Sequence, residues 1–218
     1  MIIAIDGPSG SGKSTLGRLL ARALNLLYID TGSMYRAVAL AVIEANVDAT
    51  DKEAVTALAN QIEIDLEGDP DSLKIRLNGR DVTDQIRTDS VTGMSSIISS
   101  IPGVRRAMVE RQRAMGKRGA VLNGRDIGTV VFPEADFKFF LTAVPEERAE
   151  RRYREDQITS TSSATLPETL ADMMERDRRD STRADSPLKV ADDATVIDST
   201  GKNIQQVFEE MMERINHG

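Results

Sequence analysis

The chain has 218 residues, 40% of them apolar and 29% charged, which is ordinary globular composition and enough length for one well-buried α/β core. Its formal net charge of −7 argues against broad attraction to nucleic acid or an anionic membrane, while leaving room for a local basic pocket. It has no cysteine and a single histidine, His217, so disulfides, thiolate ligands, a His-activated nucleophile and a His zinc site are set aside.

Residues 2–5 form a short apolar run closed by Asp6-Gly7. The N-terminus thus enters a strand at once, with no basic leader, and no run approaches the roughly 20 apolar residues of a membrane span. A cytoplasmic enzyme is the expected class. Helical spacing of Leu16, Leu19, Leu20 and Ala23 predicts a helix over 14–24. Residues 26–29 read as a second buried strand ending in Asp30-Thr31-Gly32, followed by helices over 35–45 and 51–60.

The pattern changes near residue 62. Ile62, Ile64 and Leu66 alternate with acidic residues, a turn follows at Gly68-Asp69-Pro70-Asp71, and Leu73, Ile75 and Leu77 alternate with Lys74 and Arg76. Period-2 runs about a turn predict an antiparallel hairpin with one wet face, extended by Asn78-Gly79 and a third short strand at Val82. This stretch, about 62–84, interrupts a βα pattern and reads as an insertion, either part of an acceptor-binding lobe or decoration on a sheet edge. Helices over 88–99 and 102–116 follow, then strands over 120–123 and 137–141 and a charged helix over 146–156. A mobile Ser/Thr-rich loop is expected over 157–165, a helix from Pro167 to about 180, a strand at 196–197 and a helix over 203–215. Short apolar strands alternating with helices predict an α/β fold: a central parallel sheet with helices on both faces, in a single domain.

Gly7-Pro8-Ser9-Gly10-Ser11-Gly12-Lys13-Ser14, followed by Thr15, matches G-x-x-x-x-G-K-[ST] and lies between a predicted strand and helix. In such a loop backbone N–H groups and the helix N-terminus face phosphate oxygens. Lys13 would reach the β- and γ-phosphates of ATP, and Ser14 would hold Mg²⁺. A GTPase switch would want Asn-Lys-x-Asp and a transporter ATPase Leu-Ser-Gly-Gly-Gln; neither string occurs. Phosphoryl transfer to a small acceptor fits better.

Between Glu146 and Arg183 there are eight arginines and no lysine, in two clusters: Arg148, Arg151, Arg152, Arg154, and Arg176, Arg178, Arg179, Arg183. Arginine grips phosphate with a planar fork, so clusters flanking a loop suggest a lid, about 151–166, that closes over phosphate. Ten acidic residues share the region, so helix-surface pairing is the competing explanation for any one arginine.

GPSGSGKST, DTGSMYR, IPGVRRAMVERQR, NGRDIGTVVFP and ERDRRDSTRADSPL, in that order, resemble the bacterial-type cytidylate kinases, P-loop nucleoside monophosphate kinases, over essentially the whole chain. The resemblance implies ATP and CMP or dCMP as substrates, with Mg²⁺. It implies that Thr31, Tyr35 and Arg36 lie at the acceptor pocket and that Ser96, Arg105 and Asp126 read the cytosine edge. Arg125 would join the acceptor-phosphate site, and Asp180 and Arg183 would hold the ribose. Arg152 and Arg176 are the candidates to stabilise the transferring phosphoryl group beside Lys13, with Arg151 and Arg179 as adjacent alternatives. The residue chemistry agrees: cytosine N4 donates, which suits a carboxylate at Asp126, and O2 and N3 accept, which suits Arg105 and a serine hydroxyl. The runner-up is a P-loop kinase for another small acceptor. The acidic surface favours a monomer.

Overall fold

The computed structural model describes residues 1–159 and 162–217. Strands β1 (Ile2–Asp6), β2 (Leu27–Asp30), β6 (Ala120–Gly124), β7 (Phe137–Thr142) and β8 (Thr195–Asp198) form one sheet in the order β2-β6-β1-β7-β8. Every pair in it is parallel. Alternation within the strands sorts the apolar side chains onto two faces. Ala4, Ile29, Ala120 and Leu122 belong to one core cluster, and Ile3, Ile5, Tyr28, Val121 and Leu141 to the other. Helices α1 (Lys13–Leu24) and α8 (Ile204–His217) cover the second face through Leu16, Leu20, Val207 and Met211. Helices α2 (Thr31–Glu44), α3 (Lys52–Gln61), α4 (Asp89–Ile98) and α5 (Pro102–Gly116) supply the first cluster.

The insertion is a separate antiparallel sheet of β3 (Ile64–Glu67), β4 (Lys74–Leu77) and β5 (Arg80–Asp81). Its register explains the period-2 pattern. Ile64 faces Leu77 and Leu66 faces Ile75, while Asp65 faces Arg76 and Glu67 faces Lys74. The apolar side joins the core cluster that holds α2, so the sheet packs into the body of the fold rather than onto the edge of the central sheet. Val82 lies just beyond β5, and its N–H continues the pairing to the Ile75 carbonyl at 2.9 Å.

Two boundaries differ from expectation. Helix α2 begins at Thr31, four residues before the expected start, because the Asp30 side chain caps it, accepting from Ser33 N at 3.3 Å and Ser33 Oγ at 2.7 Å. Helix α6 (Pro145–Thr159) runs beyond residue 156, with pairs such as Arg154–Glu150 along its surface, into the stretch expected to be loop. Ser160 and Thr161, within that expected loop, lie outside the described residues. Helix α7 (Leu166–Thr182) then starts with Pro167 in its first turn, and Glu168 accepts from both the N–H and the hydroxyl of Thr165.

Candidate active site

The strand order changes direction around β1: the chain moves outward from β1 to β2, returns to fill the gap with β6, then crosses to β7. Ligands in open parallel sheets bind outside the carboxyl ends of strands at such a point. Here a cleft of about 1290 Å³ opens at those ends. It is lined by Ser9 to Thr15 from the loop after β1, by Thr31, Tyr35 and Arg36 from α2, and by Arg105 from α5. Arg125 and Asp126 from the end of β6, Arg152 from α6, and Arg176, Asp180 and Arg183 from α7 and its exit complete the wall.

The loop after β1 is shaped by close approach. Gly10 has φ +72°, and a Cβ there would fall 2.5 Å from the Arg148 carbonyl oxygen. Gly7 and Pro8 sit behind the cleft surface and are buried; the Pro8 carbonyl accepts from Ser11 Oγ at 3.0 Å and from Lys13 Nζ. Burial, reinforced by the Arg125 guanidinium, pushes the Lys13 ammonium well below its usual range, opposed by Asp177 and Asp6. Ser14 is exposed to the cleft, and its hydroxyl accepts from Asn123 Nδ2 at 3.2 Å. Asn123 Nδ2 also lies 3.5 Å from Asp30 Oδ1. Despite burial, Arg36 and Ser33 hold Asp30 below the usual carboxylate range, hence ionised. No group of three His, Cys, Asp or Glu residues is arranged for a metal ion among the described residues.

The rest of the cleft wall is built from charges that meet across elements. Arg105 and Asp126, both about 95% buried or more, are joined Nη2 to Oδ2 at 2.5 Å. Arg183 Nη2 lies 3.7 Å from the other Asp126 oxygen, and its Nε donates to the Ser186 carbonyl at 2.7 Å. Arg125 Nε donates to Asp180 Oδ2 at 2.8 Å, while Asp180 Oδ1 faces Arg183 at 3.3 Å. Arg36 donates to Ser33 Oγ at 2.7 Å and pairs with Asp30 at 3.5 Å. Thr31 Oγ1 donates to the Asn123 carbonyl at 2.7 Å, tying α2 to β6. Tyr35 Oη, Arg36 Nε, Arg105 Nε, Asn123 Oδ1 and Arg183 Nη2, all of residues that line the cleft, are buried with no hydrogen-bond partner among the described residues.

Some expected residues fall elsewhere. Ser96 is not in the cleft lining, and its carbonyl accepts from Ser99 Oγ; Ser95, one step around α4, and Ser99 take that part of the wall. Arg148 does not line the cleft: its guanidinium is buried against the carbonyls of Ala143 and Ser9 and against Asp177. Arg178 pairs with Glu175, three residues before it, and neither Arg178 nor Arg179 lines the cleft, as the helix-surface explanation requires. Arg151 lines the cleft but is tied to Ser199 and Glu147. Asp6, Asp30 and Asn123 went unassigned in the sequence. Each is a polar residue at the end of a buried strand, and that placement is the signal that marks them.

The parallel sheet, the loop after β1 and the arginine-lined cleft together define a P-loop phosphotransferase. A family model described as cytidylate kinase matches residues 3–217. The chain is 49% identical to a cytidylate kinase of Citrifermentans bemidjiense, covering 97% of this chain and 91% of the relative. It is 50% identical to one of Solibacter usitatus (97% and 90% covered) and 43% identical to one of Clostridioides difficile (99% and 98%). The chain belongs to the cytidylate kinase family, and so to the nucleoside monophosphate kinases. In fold it is similar to the crystal structure of an uncharacterized protein from Eubacterium ventriosum, at TM-score 0.57 and 11% identity, covering 100% of this chain and 99% of that one. No described helix is long and apolar enough to cross a membrane.

Proposed function

We propose that the cleft binds ATP and CMP or dCMP together and passes the γ-phosphoryl group in line from one to the other, giving ADP and CDP or dCDP. The buried Arg105–Asp126 pair carries this reading, because it presents a donor and an acceptor side by side to a flat ligand edge. The Asp126 carboxylate accepts from cytosine N4, and Arg105 and Ser95 donate to N3 and O2. Uracil and thymine would turn a second acceptor toward Asp126.

Asp180 and Arg183 take the ribose hydroxyls. Arg36 and Arg125 hold the acceptor phosphate, and the unpartnered Arg36 Nε and Tyr35 Oη are donors ready for its oxygens. Residues 7–15 form the loop that wraps the donor phosphates, with backbone N–H groups of its non-proline residues facing them, and Lys13 reaches the β and γ oxygens. Ser14 Oγ, beside the Asn123–Asp30 relay, suits a hard cation, so Mg²⁺ carried with ATP would be held there and would neutralise phosphate charge. Arg152 and Arg176 stabilise the transferring group. The acceptor is a phosphate monoester with a second pKa near about 6, so no general base is needed. Positioning and charge do the catalysis. The insertion over 62–84 forms part of the acceptor lobe, and an acidic, cysteine-free enzyme of this kind suits the cytoplasm and a monomeric state.

An ADP-release assay over CMP, dCMP, UMP, dTMP, AMP and GMP tests the reading. Turnover with CMP and dCMP well above the rest is expected. Preference for another monophosphate overturns the base assignment, and hydrolysis of ATP without any diphosphate product overturns phosphotransfer itself.

A further inference from the structure

Asp177 lies on α7 between Arg176 and Asp180, yet it does not line the cleft. Its two carboxylate oxygens reach in different directions. Oδ1 accepts from the backbone N–H of Ser9 at 3.2 Å, and Oδ2 accepts from Arg148 Nη1 at 2.6 Å. Arg148, on α6, donates from the same Nη1 to the Ser9 carbonyl at 2.9 Å and from Nε to the Ala143 carbonyl at 3.0 Å. The crest of the loop after β1 is therefore gripped on both sides of one residue, its N–H by α7 through Asp177 and its C=O by α6 through Arg148. The next residue seals the contact, since a Cβ on Gly10 would meet the Arg148 carbonyl at 2.5 Å and Met173 Cε at 2.9 Å.

Arg148 is buried and Asp177 mostly so, which makes the grip strong and intolerant of partial loss. A helix is stiff over one turn. Whatever displaces Ser9 must displace Asp177, and with it Arg176 one residue before and Asp180 three residues after.

We propose that Asp177, seated on Arg148, is the positioning residue that couples the donor-phosphate loop to the acceptor-side residues of α7. Binding of a triphosphate on residues 7–15 fixes Ser9; Ser9 fixes Asp177; Arg176 and Asp180 are thereby held where the acceptor nucleotide meets them. The two substrates then bind cooperatively, and by linkage each strengthens the other by the same factor. The inference rests on the assignment of residues 7–15 to the donor, of Arg176 to the transferring group and of Asp180 to the acceptor.

Four measurements test it. Calorimetry of CMP binding to the native enzyme, with and without a non-hydrolysable ATP analogue, should show CMP binding at least about 5-fold tighter when the analogue is present. In Asp177→Asn, which cannot accept from both Ser9 and Arg148, that factor should fall towards one while CMP alone binds within about threefold of native. The double variant Asp177→Leu, Arg148→Met replaces the buried pair with apolar groups of similar bulk. It keeps the helices packed without the grip and should lose coupling in the same way. In the native enzyme, the analogue alone should slow amide exchange over the middle turns of α7.

Unchanged exchange in α7, or equal CMP affinity with and without the analogue, overturns the proposal. So does full coupling in either variant. Failure of CMP to bind the native enzyme at all would instead overturn the acceptor reading on which it stands.

Discussion

Arg125 and Asp126 are consecutive residues whose side chains leave the end of β6 for different partners. Arg125 donates to Asp180 at 2.8 Å, and Asp126 receives Arg105 at 2.5 Å. Two opposite charges side by side would be expected to neutralise each other. They do not, because successive side chains at a strand end point apart and each meets a separate element, α7 in one case and α5 in the other.

Base selection should follow from that division. Asp126→Asn keeps the shape but replaces one carboxylate oxygen with a donor that opposes cytosine N4. A mismatched buried polar contact costs about 1–3 kcal/mol, so kcat/KM for CMP should fall about 10- to 100-fold. The UMP to CMP ratio should rise, while KM for ATP changes little. Steady-state kinetics with both acceptors and varied ATP measure all three, and an unchanged ratio would remove Asp126 from base recognition.

The parts of this site legible in the sequence were those whose chemistry depends on local spacing. The loop 7–15 needs only its glycines and lysine after a strand, and NGRD needs only a strand end. The hairpin over 64–77 showed itself because a two-residue period states which side is wet. What escaped was helical phase and long-range partnership. Ser95 and Ser96 are indistinguishable locally, and about 100° of rotation about α4 decides which one meets the cleft. Arg148 and Arg152 sit four apart in one arginine-rich helix, but Arg148 points to the carbonyl of Ser9, 139 residues earlier. Nothing local announces that contact. The early start of α2 was hidden because Asp30-Thr31-Gly32 looks like a strand end; capping by Asp30 makes it a helix start as well.

Glycine substitutions separate space from strain. Gly93 lies in α4, exposed, with nothing within 4 Å of an added Cβ and no left-handed φ. Gly93→Ala should stabilise the protein by about 0.5–1 kcal/mol through the lost backbone freedom of glycine, with kcat unchanged. Gly10→Ala carries both a φ of +72° and a collision with the Arg148 carbonyl. It should lower the melting temperature and raise KM for ATP. Thermal melts of the two variants beside the native protein check the opposite signs.

Asp6 gives stability a pH dependence of definite sign. Its carboxylate caps the turn after Asp126, accepting from Ile127 N and Gly128 N at 2.8 Å each. Burial raises its pKa from 3.8 to about 6; the Asp126 charge adds to this, while the two N–H groups and Lys13 oppose it. Between those values the native state binds a proton that the unfolded chain has released. This group's contribution therefore favours the fold below about pH 4 and weakens as pH rises to about 6, by up to about 3 kcal/mol. Urea unfolding of Asp6→Asn and of the native protein at several pH values between 4 and 7.5 isolates the difference. The native protein should lose stability relative to the variant as pH rises through that window; parallel profiles would refute the assignment.

Arg176 should trade stability for rate. It is half-buried in the cleft wall with no hydrogen-bond or ion-pair partner among the described residues. Burial pushes its guanidinium down to about 10, with Arg125, Arg36 and Arg152 adding repulsion that Asp180 offsets only in part. A cation concentrated among cations is costly to the folded protein and useful to a transition state that spreads negative charge over phosphoryl oxygens. Arg176→Met keeps most of the bulk and removes the charge. The melting temperature should rise, with a gain of about 0.5–2 kcal/mol typical of relieving an active-site strain. At the same time kcat should fall by about three orders of magnitude or more, as when an arginine that stabilises phosphoryl transfer is lost. Arg176→Lys should recover little of that rate, because an ammonium cannot reproduce the planar fork. A variant that lost stability and kept kcat would assign Arg176 to the scaffold and leave Arg152 to meet the transferring phosphate.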